Sequence, residues 1–515
     1  MADILQEIEA ELATDTGPTG MHDFRIETRG MDPVPDDQRY GDRRRLISIF
    51  FFPNMTPSVF FAGTLATASF IGLNFWWALL AIVVGNIVGS IPVGMLGVLG
   101  ARTGLAQLPA ARLPFGRLVP VPAILNWAST ILWDGLNCLF GAEALTILLH
   151  TPFWAGLIII IAAQLSLSVI GYEAIHTFGK WATVIISLVF LAITIKCISV
   201  GTTHVHSQLH GGAAVGGFIL FFSIVISYTF TWAPYAADYT HYIPKDTSAF
   251  AIVWRMTAGN AMSAIWLETI GLVAAASLSN QTSAGIFNFL GGGAFGIFAM
   301  LAIVLSNIGA DAMDDYSGAL SLQAAGIRIP RPVSGVFVAA GGFGMALYMH
   351  NGDFATKLTN FLLFLGYWIA PMVGIVIVDW WLRRGRADSW SVVRLRTLPL
   401  GWQALVALGA GFAGSLPFMD SSLFVGAVAS GPLKGGDIAY IVGGILAGLV
   451  YWTLARVTKS VSPSATAGAG LTSEIPAWYM GKADAEVLVP ATPPIVPGGV
   501  VAEPNLVAAG GASTD

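Results

Sequence analysis

Trp133 and Asn137 stand four residues apart in the apolar run 131–145, so a helix brings both to one face. An indole offers a flat surface for stacking, and a carboxamide offers a donor and an acceptor side by side. Together they suit a small planar heterocycle with amide-like edges, such as a nucleobase. The same pair also serves ordinary helix packing, and the rest of the chain decides between the two. A second aromatic group, Trp232, lies beside Pro234 in another apolar run. Carboxylates recur in such runs at Glu143, Asp238, Asp311 and Asp314. An ionisable residue inside a membrane is costly, and it points first to function.

The elements that position these residues are transmembrane helices. Hydrophobic residues make up 55% of the 515 residues and charged residues 11%, against roughly 25% charged in soluble proteins. Apolar stretches near the length that crosses a bilayer recur about twelve times. They fall at 46–73, 75–99, 121–148, 154–173, 181–200, 214–237, 256–278, 293–325, 333–349, 358–381, 401–417 and 438–456. The chain is an all-α polytopic membrane protein. The eighth stretch looks too long for one straight span.

Basic residues cluster at alternate ends of these spans, including Arg43–Arg45, Arg112, Arg117, Arg328 and Arg383–Arg386. The connections 149–153, 201–213 and 279–292 hold no lysine or arginine. The positive-inside rule then places both termini in the cytoplasm. Residues 1–45 form a cytoplasmic tail with no signal-peptide pattern, and 460–515 read as a disordered tail rich in Ala, Pro, Gly and Ser. Cys138 and Cys197 fall inside spans, so packing is expected of them rather than a disulfide.

The first span opens with Pro53-Asn54-Met55-Thr56-Pro57, and the sixth holds Trp232, Pro234 and Asp238. Proline removes an amide donor and blocks the preceding turn, so both spans are expected to break. Breaks one five-helix repeat apart point to an inverted-repeat transporter with its site at the breaks. Freed carbonyls suit a cation, exposed amides a polar substrate, and Asn54 joins the candidate substrate contacts.

These motifs resemble the purine–cytosine permeases of the nucleobase:cation symporter family. The matching elements are Trp133-x3-Asn137-x5-Glu143, Trp232-x2-Tyr235-x2-Asp238-Tyr239, the run Asn307 to Leu322, and Tyr367-Trp368-x2-Pro371. The resemblance extends from about Asp42 to Arg386 and weakly beyond. It implies a 5+5 core, 46–200 and 214–381, with two added spans over 401–456. It also implies a base held between Trp133 and Trp232, with Asn137 reading its edge. The family commonly carries asparagine where this chain has Asp311 and Asp314. Asp311 is expected to contact substrate and, with Asp314, to couple binding to protonation. The cation site implied lies among Pro53, Thr56, Ala302 and Ser306. Leu305 stands where sodium-coupled relatives can offer a hydroxyl, which favours a proton as the coupling cation. Glu143, Pro234, Asp238, Tyr367 and Pro371 are expected to gate or to tie helices together.

The function expected is import of cytosine or a purine by alternating access. Allantoin, hydantoin, uracil or a vitamin precursor are alternative cargoes, and a transport-inactive receptor is the alternative of a different class. No phosphate-cradling GxxxxGK[ST] loop is present, which disfavours an ATP-driven pump. No nucleophile–base motif supports an enzyme, and nothing suggests a nucleic-acid partner or a cofactor. His204, His206 and His210 cluster without Cys or acidic ligands, and no metal site is expected there. Oligomeric state is left open.

Overall fold

The computed structural model describes residues 32–461, apart from 171, 203, 328 and 330. The expectations for 1–31 and 462–515 lie outside the described residues. Among those described, regular structure is helical, with one isolated β-bridge between Asp420 and Val425. Eight helices are long and apolar enough to cross a membrane, and a bent pair makes a ninth. With the shorter or less apolar helices, twelve helical columns follow the twelve runs of the sequence.

The first column is the bent pair. Helix α1 (Leu46–Phe51) passes through a 3-10 turn at Phe52–Asn54 and breaks at Met55 and Thr56. Helix α2 (Pro57–Thr64) then leaves at 67°. Pro57 sits at the first position of α2, where its missing N–H costs nothing. Helix α3 (Phe75–Thr103) is the second column, and the short, buried helix α4 (Gln107–Phe115) leads to α5 (Pro120–Leu149), the third. Helices α6 (Phe153–Ile170) and α7 (Tyr172–Val200) follow. The sixth column, α8 (Gly212–Phe230), gives way at Thr231 and Trp232 to a 3-10 segment, Ala233–Tyr239. Both breaks therefore fall where the prolines place them, five columns apart.

Helix α9 (Ala249–Ala274) is the seventh column. A short helix, α10 (Ser283–Phe289), and a turn with positive φ at Gly291, Gly292 and Gly293 precede α11 (Gly293–Ala324). The long eighth run is one continuous helix of 32 residues. Helices α12 (Arg331–His350), α13 (Phe354–Leu382), α14 (Trp402–Ser415), the one-turn α15 (Ala427–Ser430) and α16 (Ala439–Val457) complete the chain.

Packing sorts the columns into two groups. The first, second, sixth and seventh pack on one another, as do the third, fourth, eighth and ninth. Arg112 of α4 fixes the end of α11, donating to the Ala324 carbonyl at 2.9 Å and to the Val392 and Val393 carbonyls at 2.9 Å. Such bonds satisfy carbonyls that a helix end leaves free.

Small residues set the closest approach in the first group. A Cβ on Gly63 would lie 1.9 Å from the Glu268 carbonyl oxygen, and one on Gly271 would lie 1.9 Å from that of Phe60. Backbone lies on the far side of both contacts, so neither neighbour can rotate away. Gly63→Ala is expected to destabilise by at least ~2 kcal/mol and to lower the yield of monodisperse protein. Gly344→Ala, which meets nothing within 4 Å, serves as the control in the same thermal-unfolding measurement.

Candidate functional site

A cavity of ≈ 40 Å³ lies where the two breaks face α5 and α11. That is room for more than one water, each needing roughly 10–15 Å³. Pro53, Thr56 and Ser58 reach it from the first break, and Thr231, Trp232, Tyr235 and Tyr239 from the second. Helix α5 supplies Trp133 and Asn137, while α11 supplies Ala310, Met313, Asp314 and Ser317. Each group of helices thus contributes one indole.

Both indoles are held in place. The Trp133 ring meets Tyr228 and Phe361 edge-on, at 5.6 and 4.8 Å between centroids. Trp232 packs edge-on against Phe50 and Tyr235, each at 6.1 Å, and its Nε1 donates to Asn54 Oδ1 at 3.0 Å. Polar capacity on the wall is left over: Asn137 Oδ1 and the Tyr235 hydroxyl are buried without a hydrogen-bond partner among the described residues. Buried polar atoms are seldom left so, because each costs about 1–3 kcal/mol. A ligand with polar edges would satisfy them.

The structure moves three of the expected site residues. Asn54 is off the cavity wall and wholly buried. Its Nδ2 donates to Phe50 O, Asn260 Oδ1 and Ser263 Oγ at 3.0, 2.9 and 3.0 Å, and its Oδ1 accepts from Trp232 and, at 3.3 Å, from Tyr228. Its amide is thus engaged within the first group of helices and against the Trp232 and Tyr228 side chains. Asp311 is also off the wall, turned towards Cys138 and Asp134. Asp314 is the α11 carboxyl that reaches the cavity, and it has no hydrogen-bond partner among the described residues. Three residues on a helix rotate a side chain by about 300°, so adjacent faces of α11 separate the two acids.

The residues expected around a cation are divided. Pro53 and Thr56 face the cavity, and Thr56 Oγ1 pairs with Ser58 Oγ at 2.7 Å. Ala302 is fully buried. Ser306 Oγ donates to the Met55 carbonyl at 2.5 Å, so Met55, which sequence reasoning passed over, is the break carbonyl that meets α11.

Four of the five expected gating residues join helices. Glu143 accepts from the Ser283 backbone N–H at 2.8 Å and lies 3.5 Å from His350 Nδ1, linking α5 to α10 and α12. Asp238 accepts from the Gln107 N–H at 2.7 Å at the start of α4. Pro234 opens the 3-10 segment of the sixth column. Pro371 fills space left by Gly411 and Gly443 of the last two columns. Tyr367 donates its hydroxyl to Asp437 Oδ2. Of the three histidines, His204 has its ring nitrogen 2.7 Å from the Val273 carbonyl.

Asp437 lies just before α16 and also accepts from the Asp420 and Ala439 N–H groups at 2.7 and 2.9 Å. Burial pushes its carboxyl up to about 6, against these bonds. An acid with a higher pKa folded than unfolded holds its proton more tightly when folded. Its contribution is full below about pH 4 and is lost as pH rises through about 6. The thermal midpoint should therefore fall between about pH 4 and 7, by no more than about 3 kcal/mol of stability. Asp437→Asn should flatten that part of the profile.

Sequence reasoning gave no role to Tyr228, Tyr235 and Ser317 on the wall, although the last two lie in the matching motifs, nor to the buried acids Asp134 and Glu268. Glu268 Oε2 accepts from Asn86 Nδ2 at 2.6 Å within the first group of helices. Both acids carried the same signal as Asp311: a charge inside an apolar run.

Two broken helices that meet at an aromatic-walled cavity between two helical groups define a secondary-transporter architecture. The same fold is found in Mhp1, a nucleobase-cation-symport-1 family transporter solved in a closed conformation with bromovinylhydantoin bound. The match has a TM-score of 0.69 at 18% identity and covers 85% of this chain and 97% of that one. Residues 33–443 match the family described as permease for cytosine/purines, uracil, thiamine, allantoin, and the chain belongs to that family. Purine-cytosine permease FCY2 of Saccharomyces cerevisiae is 29% identical over 483 residues, covering 87% of this chain and 89% of its own. Purine-cytosine permease fcyB of Emericella nidulans is 28% identical over 459 residues, covering 84% and 89%.

Proposed function

We propose that this permease imports a nucleobase, cytosine or a purine, together with a proton. The observation that carries the reading is the cavity wall: an indole from each helical group, with the unpartnered Asn137 Oδ1 between the breaks. A flat ring held by two indoles presents only its edge to polar groups, and Asn137 and Asp314 are placed to read that edge. A planar heterocycle with ring nitrogens and an exocyclic amine or carbonyl meets both requirements. The purine–cytosine permeases that the chain resembles support the same substrate class.

Because the two indoles belong to different helical groups, rocking one group against the other would open and close the site. A proton is favoured over sodium on two grounds. Leu305 brings no hydroxyl beside Ser306, which leaves a sodium ion one oxygen ligand short at that place. Carboxyl groups, which accept protons directly, stand on the cavity wall and behind it. The charge asymmetry of the loops favours cytoplasmic termini, and with them import across the cell membrane.

Binding of labelled cytosine to the purified protein tests the substrate class, with adenine, hypoxanthine, hydantoin and allantoin as competitors. Displacement by the purines is the expected result. Displacement by hydantoin alone would replace the nucleobase with a hydantoin-like ring, and an absence of cytosine binding would remove the reading.

A further inference from the structure

Behind the cavity wall, Asp134, Cys138 and Asp311 meet inside the second group of helices, each completely buried. Their ligand atoms lie within 4.8 Å of one another. Gln164 of α6 closes the cluster: its Nε2 donates to Asp134 Oδ1, and its Oε1 is 3.1 Å from Cys138 Sγ. The same thiol is 3.5 Å from Asp311 Oδ2 and 3.9 Å from Asp134 Oδ2. On the far side the backbone of α12 presses in, since a Cβ on Gly342 would lie 1.7 Å from Asp134 Oδ2.

Counting donors shows what is lacking. The two carboxylates present four acceptor oxygens, and Gln164 adds a fifth. One S–H and one amide N–H are the donors that reach them. Asp311 Oδ1 is buried with no partner, and one turn earlier both polar atoms of Asn307 are unpartnered as well. The other acids near the cluster are Asp314 and Asp315, both on α11. Helix α5 meets the cluster with Asp134 and Cys138, its other acid, Glu143, bonding instead to Ser283 and lying beside His350; α6 faces the cluster with Gln164, and α12 faces it with backbone at Gly342. Among the described residues no lysine, arginine or histidine stands against the two acids. Two bare charges without a counter-charge are prohibitively costly in such a place.

We propose that Asp134 and Asp311 share the proton that this permease co-transports, with Cys138 and Gln164 as the bridge between them. The inference rests on the proton-coupled reading above and assigns that proton a place. A proton adds to a carboxylate oxygen, supplies the missing donor and leaves later as the same proton, so no other reactant is needed. Asp314, on the cavity wall and three residues from Asp311, is the acid that stands between the cavity and the cluster along α11. The cluster joins three helices of one group, directly behind Trp133. Its charge can therefore govern how those helices pack against a bound base. A metal ion is the competing occupant, since a thiolate and two carboxylates would suit zinc. The existing hydrogen bonds disfavour it, because a metal would displace the bridge that Gln164 and Cys138 already form.

Two readouts on wild type, Asp134→Asn, Asp311→Asn and Cys138→Ala test this, each with metal content measured. Infrared difference spectra of base-free protein between acid and neutral pH should show a protonated-carboxyl band, lost in both Asn variants. Base-evoked current in proteoliposomes should vanish in both Asn variants while equilibrium binding of cytosine survives. Cys138→Ala should keep the band and shift its position. A band and current unchanged in the Asn variants, or stoichiometric zinc in wild type, would overturn the assignment. If wild type binds no base, the nucleobase reading fails, and the infrared band still decides whether the proton sits here.

Discussion

Trp232→Ala should weaken cytosine binding roughly 5- to 150-fold, the equivalent of about 1–3 kcal/mol for one base–aromatic stack. The ring is held by neighbours on its edges, Phe50 and Tyr235, and by the Nε1 bond to Asn54. Trp232→Phe should retain most of the affinity, since a π face survives while the bond to Asn54 is lost. Asn54→Ala should then weaken binding without removing any group from the wall, by freeing the indole it anchors. Equilibrium binding to purified protein measures all three, and a Trp232→Ala variant that binds cytosine as wild type does would place the base elsewhere.

Asp314 carries the second large effect. Its carboxyl borders the cavity with no hydrogen-bond partner among the described residues, so a substrate donor is its natural complement. Asp314→Ala should cost roughly 10- to 100-fold in affinity, because hydrogen bonds to charged groups are worth about 1.5–3 kcal/mol. Asp314→Asn keeps an acceptor and adds a donor, so it should recover binding and change the order of preference among bases. If the proton resides on Asp134 and Asp311, Asp314→Asn should also keep its base-evoked current. Equal affinities for wild type and Asp314→Ala would remove Asp314 from the edge of the substrate.

Much of this architecture was legible in the residues because bilayer crossing imposes a length and an apolarity that few sequences meet by accident. The prolines at 53, 57 and 234 marked both breaks, since the backbone cannot continue a regular ladder through them. Trp133, Asn137 and Trp232 came together as their spacing and the family resemblance implied. Rotation about a helix axis was less readable. Asp311 and Asp314 both lie in α11, and only packing against α5 and α6 decides which of them meets the cavity. Asn54 shows the same limit, because its type announces hydrogen bonding and leaves the partner unspecified. Asp134 follows Trp133 directly and is turned by about 100° from it. It was hidden by the more conspicuous indole, and Cys138 by the usual role of a buried thiol as packing.

The most direct test of transport is labelled cytosine uptake into proteoliposomes, driven by an imposed inward proton gradient in sodium-free buffer. The expected result is accumulation above equilibrium that a protonophore abolishes. Cytosine that fails to accumulate under a proton gradient, and fails again under a sodium gradient, would contradict the account.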